Sequence, residues 1–173
     1  MVHPLFFEPA HVVGLIPLIV LAGRLPPRFY VAGFAFASSW LADALHVLAD
    51  GAPVALPYLP CVQFALFAIA CGAGRWVFVV LAVATLLVGD AWGVSVTALG
   101  SAICLYHAHD DALAPVVWLY CGVGSVLYIA LVGALGAERF VTLWYLYQAV
   151  RWAAVLVFLA AARQAAYPPR VRS

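Results

Sequence analysis

The chain has 173 residues, of which 68% are hydrophobic and 9% charged; its Lys+Arg total of 8, all arginine, against 7 acids leaves a formal net charge of +1. That balance excludes an ordinary water-soluble domain, and the lack of any basic block excludes a nucleic-acid binder. It predicts an all-α, polytopic transmembrane helix bundle forming a single integral membrane domain over 1–173, since roughly 20 to 25 residues per crossing leave room for six to eight helices and no extramembrane domain.

Apolar runs broken by Arg, Pro, Gly or acidic residues predict helices near 9–23, 29–49, 54–72, 75–89, 92–107, 113–135 and 139–163. Met1 to Phe7 lacks the charged start of a cleaved signal peptide, so the first helix is expected to be retained. The stretch from Gly74 to His107 is long for one crossing and short for two, which makes six helices the alternative count. Gly89, Asp90 and Gly93 supply turn chemistry at its middle, and arginine placement favours seven. With seven helices and the N-terminus outside, Arg24, Arg28, Arg75, Arg163, Arg170 and Arg172 fall on the cytoplasmic side, leaving Arg139 in an outer loop. Tyr30, Trp76 and Tyr106 then sit near the inner interface, Tyr58 and Trp92 near the outer one. A parallel two-helix repeat is also legible: Arg28 leads to Asp43-Ala44 at the same spacing as Arg75 leads to Asp90-Ala91, with Ala35, Ala37 and Ser38 matching Ala82, Ala84 and Thr85.

The second helix carries Ser39, Asp43, His46 and Asp50 at helical spacing, so all four lie along one face. On the expected orientation this stripe occupies the outer half of the bundle, together with Glu8, His11 and Asp90. A carboxylate, an imidazole and a second carboxylate on one face have the chemistry to bind a divalent cation or to relay protons. Neither spacing is a signature, so no metal site or cofactor is assigned. Asp43 lies more than a turn inside its helix and needs a partner there. Asp90, beside Gly89 and Gly93, also fits a turn or helix cap.

Arg151 stands near the middle of the last apolar run, where a guanidinium costs roughly 2.5 to 3.5 kcal/mol on insertion scales unless a partner, water or a ligand meets it. Trp144, Tyr147 and Gln148 share adjoining parts of its helix surface and predict a polar, aromatic-lined wall. Helical side chains lean toward the N-terminus, so Arg151 should reach toward the depth of Asp43, if the second and last helices are neighbours. An anion held by the guanidinium and a structural lock between helices are the alternatives.

His107, His109, Asp110 and Asp111 read as a solvated cytoplasmic turn, and Cys61, Cys71, Cys104 and Cys121 as small packing residues rather than a redox centre. No Walker loop, dinucleotide glycine pattern, HExxH or GxSxG motif is present. Ser39, Asp43 and His46 share one rigid helix, which argues against a hydrolase triad. The segments Leu41-Ala42-Asp43-Ala44-Leu45 and Leu86-Leu87-Val88-Gly89-Asp90 resemble the Leu-Leu-Gly-Asp helices of bacterial lysoplasmalogenases. The resemblance covers two short patches, and the later Ser-Asp pattern of that family is missing; it implies an intramembrane hydrolase as one alternative.

The expected function is a small transporter or channel-like protein with an outward-facing polar cavity, lined by Asp43, His46, Asp90, Trp144, Tyr147, Gln148 and Arg151, for a proton, ion or small anionic solute. The alternatives are an intramembrane enzyme acting on a lipid or isoprenoid and an accessory membrane subunit. Membrane lipid and a small solute or lipid substrate are the expected partners, with a homo-oligomer left open. Richness in alanine, valine and arginine suggests a bacterial inner membrane.

Overall fold

The computed structural model describes residues 13–48, 58–88, 92–109, 111–134 and 138–168. Among them are seven helices and no strand: α1 (Ile16–Val20), α2 (Pro27–Leu48), α3 (Tyr58–Ala70), α4 (Trp76–Val88), α5 (Trp92–Ala108), α6 (Ala114–Gly133) and α7 (Phe140–Ala166). These correspond one for one with the apolar runs. The described part of the first run is short, with turns on both sides of α1, and α7 continues a turn beyond Arg163 to Ala166. Separate α4 and α5 answer the question raised by the stretch from Gly74 to His107. Two helices, Ala114–Gly133 and Phe140–Ala166, are long and apolar enough to cross a membrane, while α3, α4 and α5 contain shorter apolar helices.

Phenylalanine packing ties α2, α3 and α7 together. The Phe158 ring lies 6.1 Å from Phe29 and 5.3 Å from Phe36, and Phe36 meets Phe67 edge-on at 5.1 Å. Arg24, just before α2, reaches the hydroxyl of Tyr167, just after α7, so these two neighbouring helices run antiparallel. Such large rings bury much apolar surface, and edge-to-face pairs add about 0.5 to 1.5 kcal/mol beyond it. Gly100 lets α5 approach α3 closely: a Cβ there would come within 2.5 Å of Phe64.

One end of the bundle gathers much of the described charge. The Arg28 guanidinium pairs with the Asp111 carboxylate at 2.8 Å, and Asp111 also accepts the Leu113 N–H at 2.8 Å, shaping the entry to α6. The turn read from sequence as merely solvated is therefore anchored to α2. Trp76 and Tyr106 flank His107 at this same end, with ring centroids 6.4 and 5.2 Å away. The repeat-matched positions share environments only in part: Ala37 and Ala84 are both half-buried, but Phe29 is buried where Trp76 is exposed, and Gly33 is buried where Val80 is exposed.

Apolar side chains also cover much of the outside. Ile19, Val20, Val79, Leu86 and Val126 are exposed, as is Leu87 at 80%. Gly100→Val should lower the thermal unfolding midpoint of the detergent-purified protein, because overpacking a close contact costs about 1 to 3 kcal/mol. An unchanged midpoint would mean that α3 and α5 are not in close contact at Gly100.

Candidate functional site

Arg151 occupies the interior, 7% exposed, on the face of α7 that also buries Ala154, Val155 and Phe158. Its Nη2 donates to the Tyr120 hydroxyl at 2.9 Å, and Gln63 Nε2 donates to the same oxygen. One phenol thus joins α3, α6 and α7. Tyr120 is supported in turn by Phe36 and Phe67, each with its ring centroid 5.2 Å away. Sequence reasoning missed both Tyr120 and Gln63. The available signal was an amide interrupting the apolar run of α3 and a phenol in the middle of α6.

The π-helical turn Trp118–Val123 carries Tyr120. Such a turn widens the helix by shifting hydrogen bonds to i→i+5 spacing, and single π turns recur at functional sites. Here it bears the side chain to which both polar donors converge.

Aromatic rings also flank the guanidinium. Its Cζ lies 4.7 Å from the Tyr147 ring centroid and 5.4 Å from that of Tyr120, both within the range of cation–π attraction. Trp144 and Tyr128 pack toward Tyr147, with centroids 6.3 and 6.2 Å from its ring. Trp144, Tyr147 and Arg151 thus form a chain of contacts along α7, and Gln148 beside them is half-buried. The side chains of Ser39, Asp43 and His46 lie outside the described residues, as do Asp90, Asp50, Glu8 and His11.

A second polar seam joins α5 to α6. Ser101 donates to the Thr97 carbonyl and shares a hydrogen bond with Ser125, both at 2.6 Å, and Cys104 donates to the Phe64 carbonyl at 3.2 Å. Cys61 and Thr85 meet at 2.8 Å between α3 and α4. All four cysteines are buried and none is in a disulfide, in keeping with a packing role. Among the described residues, no group of three or more His, Cys, Asp or Glu side chains is arranged to hold a metal ion.

Comparison with protein-family models, curated proteins and solved structures gives no match.

Tyr120→Phe should destabilise the protein by about 1 to 3 kcal/mol, because two buried donors lose their acceptor together. Adding Gln63→Leu to Tyr120→Phe should cost less than the sum of the single losses, which a double-mutant cycle of unfolding measures. Strictly additive losses would mean that Gln63 and Tyr120 are not coupled.

Proposed function

We propose that this chain is a multi-pass membrane protein whose seven helices cross the bilayer with the N-terminus outside and Ser173 in the cytoplasm, and that it is a small transporter handling a proton, ion or small anionic solute. Arg151 carries the reading. A permanent cation deep within a 27-residue apolar helix, provided with a phenol, an amide and ring faces, is costly machinery for packing alone. Exposed Val79, Val83, Leu86 and Leu87 recur at helical spacing on α4 and support immersion in lipid, since an apolar helix face left open is unusual on a water-facing monomer. The separation of Arg24, Arg28 and Trp76 from Arg139 along the bundle supports the sidedness.

In this reading Asp43 is the anionic partner of Arg151, with His46 one turn further out. Two helical registers support the pairing. Position 43 lies seven residues beyond Phe36 on α2, and Arg151 lies seven residues before Phe158 on the antiparallel α7. Seven residues are close to two full turns and about 10 Å of rise, so both positions return to the faces joined by the Phe36–Phe158 contact. Asp90, Trp144, Tyr147 and Gln148 line the same site in this reading. The engagement of Nη2 by Tyr120 favours one second reading, an accessory subunit in which Arg151 locks three helices together.

Uptake by proteoliposomes separates the two. Under an imposed proton gradient, protein-containing vesicles should take up protons or a small organic anion faster than empty ones, and Asp43→Asn should lower that flux about tenfold, the effect of ~1.4 kcal/mol. Arg151→Gln and Asp43→Asn should show coupling in a stability cycle. Flux no greater than that of empty vesicles, together with a destabilised Arg151→Gln variant, would support the lock instead.

A further inference from the structure

A lateral groove of about 500 Å³ separates the end of α6 from the start of α7 and is lined by Ala130, Gly133, Arg139, Thr142 and Leu143. We propose that it is a specific site for one anionic glycerophospholipid, with the phosphate against Arg139 and an acyl chain along the groove; the proposal rests on the membrane reading above.

Small side chains open the space, and a Cβ built on Gly133 would meet nothing within 4 Å. The track continues along both walls. Val126, Ala130 and Gly133 follow one another at helical spacing on α6, as Arg139, Thr142 and Leu146 do near the start of α7. Val126 and Leu146 are exposed beyond the groove, giving a hydrocarbon chain apolar surface on which to lie. Arg139 alone among the lining residues is charged, and the Thr142 hydroxyl is the other lining side chain with a polar group. Glu138, the neighbouring acid, is not part of the lining. An arginine among the lining residues of an otherwise apolar groove complements a molecule that is anionic at one end and hydrocarbon along its length.

Charge placement in the proposed orientation adds a reason. Arg139 is the one arginine that the orientation leaves on the outer side, against the tendency that keeps arginines cytoplasmic. A phosphate partner at the outer interface gives that exception a role. The guanidinium also suits this ligand, because its fork matches two phosphate oxygens at once.

The test uses the full chain purified from the membrane fraction, with the thermal midpoint read as phosphatidylglycerol or phosphatidylcholine of identical chains is added. Phosphatidylglycerol should raise the midpoint to a plateau and phosphatidylcholine should not, as expected for a ligand bound to the folded state. Arg139→Gln, which removes the charge, and Gly133→Leu, which fills the groove, should each abolish the rise, while Glu138→Gln should retain it. If Gly133→Leu keeps the rise and Arg139→Gln loses it, the effect is general attraction to the rim and the groove site is overturned. If Arg139→Gln keeps it, recognition of the phosphate is overturned, and equal responses to the two lipids overturn the headgroup preference. Recovery of the chain in the membrane fraction reports on the membrane reading separately, so a failed lipid response does not count against it.

Discussion

The interior of this protein is built around one guanidinium. Burying a charge among apolar helices is tolerable only where dipoles and rings replace the water it has lost. Arg151 obtains these from three helices: the Tyr120 hydroxyl from α6, itself hydrogen-bonded to Gln63 on α3, and the Tyr147 ring from one turn earlier on α7. The aromatic packing has a matching purpose. Phe36 and Phe67 hold the Tyr120 ring, and Phe158 bridges α7 to α2, so the polar centre and the apolar core are parts of one framework.

Much of the helical layout was legible because each helix begins and ends at a chemical interruption. The Pro26-Pro27-Arg28 cluster opens α2, Gly72-Ala73-Gly74-Arg75 separates α3 from α4, and charged sequence around His109 and Asp111 separates α5 from α6. Periodicity also identified Arg151 and its relation to Tyr147, since residues four apart on a helix share a face. Tyr120 and Gln63 were not legible for a physical reason. Their meeting depends on how α3, α6 and α7 pack, and the π turn at Trp118–Val123 has no plain sequence signature. The internal match between Arg28–Asp43 and Arg75–Asp90 proved less informative about packing, because the same spacing supports a buried Phe29 in one helix and an exposed Trp76 in the other.

The distribution of polarity distinguishes working parts from scaffold. Ser101 and Ser125 share a hydrogen bond and the Thr97 carbonyl accepts from Ser101 within a narrow seam, as expected where helices approach through small residues. Arg151 differs in carrying a permanent charge. At the opposite extreme, Arg28 and Asp111 form a partly exposed pair that orients a turn and contributes about 0 to 1 kcal/mol. The bundle thus grades from a charged rim, through an apolar aromatic core, to a polar interior on which the proposed transport function rests.

The most direct test is nuclear magnetic resonance of the detergent-solubilised protein labelled with 15N-arginine, assigning Arg151 by the signal lost in Arg151→Lys. Rings at 4.7 and 5.4 Å should shift the Arg151 side-chain protons upfield, and burial should protect them from exchange with water; Tyr120→Phe should reduce that protection. An Arg151 signal at the position of exposed arginines, exchanging as fast as they do and indifferent to Tyr120→Phe, would contradict the central claim.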